Sequence, residues 1–595
     1  MKQITTNIND GLPHFLFDGQ KLQSAGFELA FRYERCFPEP FFKSERSYEM
    51  CILGNPILGE GINKEGVAQL VSGQWNFKDL RRINGEFLIF YHDKQQNTLQ
   101  IINDRFSSIP LFYFIDSEGL YRASVYYADL WKENQLWRHK NAYAFFEFIW
   151  LQKLLGENTF DTKSKFLKSA SVLKFDGKSA EIATYWLPSF EKSRASVSEL
   201  ANELANALKY SVKLKTSDNP LSCIFLSGGM DSRSILAAFP ERPVCFTLAN
   251  SRNVEYQVAN RLAAIKGSEH RYLQIPDDKY SQIYKKSVRL GGGMYAYDHA
   301  LFLDYGDKVT PHADVAFHGH GFDYMFQGMY VPINLIQIFG RSSHIPRLRK
   351  IEGDPVEFFI RNIPYRLKYV NLLDYVKREL REEYFDRLYK SAAEIIDHSQ
   401  IEFYSGYDVY EYLITHSLSR HYANTNISSL ATYMEQRTIS FENGIFDLFY
   451  KTPVEFRVGG KIARQALKFL NKDLGNVITA NLKIRAVASP YEKTLIWLLD
   501  NFWKQIRKLL GSEMMYNEND RTWPVRDVAI QSEVELRNSV LNAAGSEQLS
   551  ELGFLDMDKI RSDIDFWFGT EEGKRANSGA FMTSLITINE FIGIN

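Results

Sequence analysis

The sequence predicts an α/β protein: a mostly β amino-terminal part, then a doubly wound parallel sheet, then a helical carboxy-terminal region. Three observations carry this. Short runs rich in Ile, Leu, Phe and Tyr, separated by turn formers, fill residues 1 to about 190. From about Ser196 apolar strands alternate with helical segments, the pattern of βαβ crossovers. From about 331 to 595 helical spacing dominates.

The elements follow in order. "GEFLIFYHD" (85–93), "NTLQIIN" (97–103), "PLFYFID" (110–116) and "GLYRAS" (119–124) read as strands of antiparallel hairpins. "VSELANELANALKYSVKL" (197–214) has apolar residues at helical spacing. Strands at 221–226, 244–249, 271–275 and 314–318 then alternate with helices at 231–239, 253–266 and 279–290. In the second of these helices Val254, Val258, Leu262 and Ile265 share one face. The ligand of such a sheet binds at the carboxyl ends of its strands. The expected domains are 1–190 and 195–595, the latter with a helical insertion at 331–410 and a helical extension at 496–595. Segment 341–380 is moderately basic with interleaved aromatics: a solvated insertion, or a surface that receives a negatively charged substrate.

Bulk properties narrow the partners. A chain of 595 residues holds two or three domains. Lys and Arg number 71 against 72 acids, a balance that argues against nucleic acid or an anionic membrane as main partner. Cys36, Cys51, Cys223 and Cys245 form no C-x-x-C pair, as expected of reduced thiols. "MKQITTNINDGLPHF" has no apolar signal region, and no run of about 18 apolar residues occurs. The expected location is cytoplasmic, with no membrane partner.

The chemistry concentrates in loops. "LSGGMDS" (226–232) lies between a strand and a helix, where phosphate loops form. Gly228 and Gly229 let backbone N–H groups approach an anion, and the helix start adds partial positive charge. Ser227 and Ser232 offer hydroxyls. Asp231 beside a phosphate makes sense if Mg²⁺ bridges the two. The loop lacks the G-K-[ST] of a Walker A motif and resembles the "SGGxDS" pyrophosphate loop of N-type ATP pyrophosphatases.

A second loop narrows the resemblance. "VAFHGHGFDYMFQGMY" (315–330) is similar to the "LSGEGSDEVFGGY" segment of asparagine synthetases. The resemblance implies that Asp323 holds Mg²⁺ together with Asp231. His318 stands for a serine, His320 for a glutamate and Tyr324 for a second acid. His320 could serve as general base for an amine, or only shape the pocket. "EQRTISFENGIFDL" (435–448) resembles the family's "ARVPFLD" segment, with Arg437 matching and Glu442 at its aspartate. "NLKIRAVASP" (481–490) resembles its "RxKxGFxxP" loop, which puts Lys483 on the lysine that steadies charge as the amide forms. Arg485 is the rival cation.

Residues 82–130 are similar to the class II glutamine amidotransferase domain, an Ntn-type α/β sandwich. Glutamine-dependent members use an amino-terminal cysteine. Here Met1 is followed by Lys2, so an inactive domain is expected. The same departure occurs in β-lactam synthetases and lasso-peptide cyclases.

The resemblance thus implies an Ntn-like sandwich followed by an adenine-nucleotide α-hydrolase-like sheet. It implies an AMP-forming amide ligase with ATP and Mg²⁺, modifying a natural product, peptide or glycan. Leu226, Ser227, Gly228, Gly229, Asp231, Ser232, Leu248, His318 and Gly319 would line the nucleotide, and Lys483 and His320 would act in catalysis. The partners would be a small-molecule or peptide carboxylate and an amine, with a homodimer as one option. Two alternatives stay open: an ammonia-dependent asparagine synthetase, and a nucleotide-binding pseudoenzyme or scaffold. A tRNA-modifying enzyme is disfavoured by the neutral charge.

Overall fold

The computed structural model describes residues 21–24, 27–30 and 38–595, apart from 118, 120, 364–369, 422–423, 510–524, 577 and 595. Met1, Lys2 and Cys36 lie outside the described residues.

The amino-terminal part is a sandwich of two sheets between helical layers. One sheet is antiparallel in the order Ala180–Thr184, Ser171–Phe175, Thr98–Asn103, Asn84–Asp93, Tyr48–Ile57, Phe41–Ser44. The second contains Phe112–Ile115 and Tyr121–Ser124. Cys51, Leu53, Leu88, Phe90, Tyr113 and Tyr121 fill the space between the sheets. Helix Lys64–Ser72 covers the outer face of the first sheet with Val67, Ala68 and Val71. Alternation puts one set of side chains between the sheets and the other under the helix.

The second unit is a five-stranded parallel sheet. Its strands are β1 (Ser222–Phe225), β2 (Val244–Ala249), β3 (His270–Gln274), β4 (Val315–His318) and β5 (Glu435–Thr438), in the order β3-β2-β1-β4-β5. Four helices belong to it: α1 (Val197–Lys215), α2 (Asp231–Ala238), α3 (Val254–Lys266) and α4 (Lys279–Gly291). Ser196 and Glu199 form a capping box that starts α1. The buried face of α3 is Glu255, Val258, Ala259, Leu262 and Ala263. Ile265, which spacing put on that face, is exposed. At about 100° per residue the buried set centres near Glu255 and Leu262, and Ile265 falls at its edge beside the part-buried Val254.

One expectation about 331–595 changes. Segment 331–410 opens with a β-hairpin, Ile333–Ile338 and Arg341–Leu348, before its helices begin. The cause is the two-residue turn. Phe339 and Gly340 both have positive φ, at 50° and 71°, the twist that closes a tight hairpin. The carboxy-terminal helices pack into the amino-terminal domain. Gly579–Ile592 is buried almost throughout, and Phe591 packs on Tyr127, Trp131 and Phe160 of the amino-terminal domain at 5.7, 4.8 and 5.3 Å.

Polar contacts fix the amino-terminal domain against β5. Asn55 donates to Glu435 at 2.6 Å, and Asn84 donates to Glu442 at 2.7 Å. Glu86 accepts the Thr438 N–H at 3.2 Å and lies 3.8 Å from Lys215. These groups are largely buried, and each has its hydrogen bond or ion pair, as burial demands.

Candidate active site

The phosphate-type loop follows β1 and ends in α2, as the sequence implied. Its N–H groups point inward to oxygens of the chain. Ser227 donates to Ser232 Oγ at 2.9 Å, Gly229 donates to Ser227 Oγ at 3.2 Å, and Gly228 donates to Glu255 Oε1 at 2.7 Å. A carboxylate on the Gly228 N–H shows that the turn accepts an anion. Glu255 comes from α3 and was not expected at the site; burial raises its pKa.

Arg233 is a second residue the sequence did not single out. It is fully buried and donates to the carbonyls of Gly228, Val477 and Ile478 at 3.1, 2.6 and 2.8 Å. It ties the phosphate-type loop to the segment leading to Lys483. Burial lowers its pKa to about 10, which leaves it charged at neutral pH. Gly228 makes the approach possible, since a Cβ there would stand 2.6 Å from the Ala480 Cβ.

The loop after β4 meets the same spot. A Cβ on Gly319 would lie 2.8 Å from the Asp231 Cβ. Asp231 and Asp323 are both half-buried and act on one another. Burial raises Asp323 to about 6, and burial with the Asp323 charge raises Asp231 well above the carboxylate range. Two like charges held together out of water each oppose ionisation of the other. Gln327, on the same loop, donates to Asp231 Oδ1.

His320 lies in an aromatic cluster. Its Nε2 is 3.3 Å from the Tyr324 hydroxyl, and its ring centroid is 5.7 Å from His421 and 5.9 Å from Phe441. Tyr330 hydrogen-bonds His421 Nε2. Burial, and to a lesser degree His318, push His320 down to about 3. The ring is therefore neutral at working pH, and a weaker base than the near-neutral imidazole the sequence reading assumed. The physical reason is loss of hydration around the ring.

His318 was expected at the nucleotide. Its Nε2 contacts Gln436 Oε1 at 2.6 Å and its Nδ1 accepts the His320 N–H at 3.4 Å. Its ring is thus committed to β5 and its own loop, and burial lowers it to about 4. Leu226 and Leu248 have buried side chains at the carboxyl ends of β1 and β2. Arg437 and Glu442 are structural. Arg437 pairs with Asp218 and Glu435, and Glu442 caps the helix Asn443–Lys451.

Lys483 sits exposed in a turn with φ of 54°, in which Thr479 N donates to Ile484 O at 2.8 Å. Arg485 pairs with Glu492 on the helix that follows. The turn packs on the phosphate-type loop through Ala480, whose N–H donates to Gly228 O at 3.2 Å.

Fold and site define a two-part α/β chain in which a phosphate-type loop, a carboxylate pair and a lysine turn converge at sheet ends. Residues 203–490 match the asparagine synthase family, and residues 65–186 match the glutamine amidotransferase domain. These matches support a likeness to the asparagine synthetase family in both parts of the chain. It is similar to asparagine synthetase [glutamine-hydrolyzing] 1 of Bacillus subtilis (strain 168), at 26% identity over 256 residues. The match covers 42% of this chain and 40% of that protein, so the chain spans about two fifths of the relative's length. Two solved structures are more remote. The allosteric regulatory enzyme of purine biosynthesis is 9% identical, over 40% of this chain and 63% of that one, with a TM-score of 0.19. Glutamine phosphoribosylpyrophosphate amidotransferase from B. subtilis, complexed with ADP and GMP, is 10% identical, over 42% and 53%, with a TM-score of 0.17. At those scores neither superposition carries weight.

Proposed function

We propose that the chain is an ATP-dependent ligase that adenylates a substrate carboxylate and joins it to an amine. The pairing of Asp231 with Asp323 beside the Ser227–Ser232 loop carries this reading. A carboxylate pair that resists ionisation fits a divalent cation. Asp231 and Asp323 would hold Mg²⁺, which would offset the charge of the ATP phosphates.

The substrate carboxylate oxygen attacks the α-phosphorus of ATP, and the bond to the β-phosphate oxygen breaks. Ser227, Gly228, Gly229 and Ser232 bind the departing pyrophosphate, with Glu255 yielding the Gly228 N–H. The amine nitrogen then attacks the acyl carbon, the acyl–phosphate C–O bond breaks to release AMP, and the amine proton passes to water. Lys483 balances negative charge across both steps. His320, neutral and bonded to Tyr324, positions the amine rather than deprotonating it.

The reading includes no glutamine hydrolysis. Cys51 is the cysteine among the described residues of the amidotransferase-like domain. It is fully buried, and burial raises its thiol pKa well above the ordinary value, so it is no nucleophile. Carboxylates of small molecules, peptides or glycans are the candidate acceptors.

The test is pyrophosphate release from ATP and Mg²⁺ with a panel of carboxylates, with and without amines. Release that depends on ATP and is abolished in Asp231→Ala is expected. Release that is absent, or unaffected by that change, overturns the reading and leaves a nucleotide-binding scaffold. Glutamate release from glutamine is expected to be nil.

A further inference from the structure

The hairpin Ile333–Leu348 and the helix α5 (Pro490–Leu509) form one layer. The His344 N–H donates to Thr494 Oγ1 at 3.1 Å, and Trp497 meets His344 edge-on at 6.2 Å. Among the described residues, Pro346 and Pro490 of this layer meet Gly459 of the body of the molecule. Along its exposed side Tyr491, Leu495, Leu499 and Phe502 recur at i, i+4, i+8 and i+11, flanked by Ile496 and Trp503. All six are 44 to 70% exposed, and Phe339 at the hairpin tip is 93% exposed. Together they offer on the order of 1,000 Å² of apolar surface, where the largest patch on an ordinary monomer is about 300–600 Å².

The charge of the layer departs from that of the chain. Residues 333–350 carry Arg341, Arg347, Arg349 and Lys350 and no acid. Among the described side chains of α5, Lys493 stands with Glu492 and Asp500, so the excess of cations lies on the hairpin. The net charge of −1 for the whole sequence averages this patch away. Arg341 is exposed beside the apolar tip, and Arg347 is exposed at the far end of the same strand.

We infer that this face lies on an anionic lipid surface. Large aromatic and aliphatic side chains on one side of a helix, with Lys and Arg alongside, are the features of an interfacial helix. Phe339, standing proud on a tight turn between strands, would enter the headgroup layer first. A second copy of the chain fits less well, because a twofold contact would bring two cationic patches together. No described helix is long and apolar enough to cross a membrane, and the inference needs none. It would put a ligase of the proposed kind at a surface where lipid-linked or envelope substrates are found, yet it stands without that activity.

Sedimentation of the full chain with vesicles tests it. One set is phosphatidylcholine alone, the other an equal mixture with phosphatidylglycerol. Pelleting with the anionic set only, reversed by salt, is expected. Arg341→Glu with Arg347→Glu lowers partition by about tenfold or more, since each surface cation contributes about fivefold. Phe339→Asp lowers it similarly, with an unchanged melting curve showing that the fold is kept. Absence of pelleting, or pelleting indifferent to these changes, overturns the inference. A dimer in sedimentation velocity that Phe339→Asp dissociates, without vesicle binding, overturns it in favour of a second copy.

Discussion

Gly319 has no side chain because Asp231 stands where one would be. An added Cβ would sit 2.8 Å from the Asp231 Cβ and 2.9 Å from its carbonyl carbon, so backbone must move. Gly319→Ala is expected to cost about 1–3 kcal/mol of stability. Because it shifts a carboxylate of the pair, pyrophosphate release should fall by about tenfold or more. Thermal melting and the release assay read the two effects, and a variant normal in both would remove Gly319 from the site. The two cations of the 481–490 turn separate by their positions. Arg485 is held by Glu492 on α5, whereas Lys483 stands in the turn packed on the phosphate-type loop. Lys483→Met should lower amide formation by about 10²–10³. Arg485→Met should lower it by less than about threefold, and equal losses would favour a merely structural turn.

At the scale of elements, buried charges join segments that spacing cannot connect. Glu147, on helix Ala142–Leu151, accepts from Asn158 and Ser391 at 3.0 and 2.9 Å. Lys153 donates to the carbonyls of Leu413 and Ile414 at 3.0 and 3.2 Å. Burial brings both groups to about 7, Glu147 upward and Lys153 downward. Their pH effects oppose. The raised Glu147 contributes stability that is present below about pH 4.5 and lost as pH rises through about 7. The lowered Lys153 contributes stability that is present above about 10.5 and lost as pH falls through about 7. Stability should therefore pass through a shallow minimum near pH 7, falling from about pH 6 and recovering by about pH 8. Lys153→Met should leave a fall with rising pH, and Glu147→Gln a rise, each up to about 1 kcal/mol per pH unit. Urea melts across that range check the signs. These contacts also show what the sequence withheld. β1 to β4, α1 to α4 and the loops at 226–232 and 315–330 were legible, because period and turn residues are local signals. The hairpin turn at Phe339–Gly340 was hidden under a basic composition read as helical. Glu255 and Arg233 reach the site only through tertiary packing, since nothing beside them in sequence marks a loop in another segment. The low basicity of His320 was equally invisible, because it depends on what surrounds the ring.

Across the whole molecule the last helix decides whether the two halves behave as one. Phe591 sits in a core made by both. It stacks near Tyr127, Trp131 and Phe160, and a Cβ on Gly293, after α4, would come within 2.4 Å of its ring. Tyr375 and Phe581 stack at 4.2 Å in the same cluster, which joins the 331–410 segment to it. A contiguous core makes its members unfold together. The wild-type chain should thus melt in a single transition seen alike by calorimetry and by tryptophan fluorescence. Phe591→Ala removes a fully buried ring and should cost about 3–5 kcal/mol. The cavity lies at the seam, so the loss should appear as an earlier amino-terminal transition split from that of the parallel sheet. Phe591→Leu, which keeps most of the volume, should retain one transition at a slightly lower temperature. Two transitions in the wild type, or a Phe591→Ala profile merely displaced as one, would mean that the polar contacts of Glu86, Asn84 and Asn55 with the β5 segment, rather than the shared core, couple the halves.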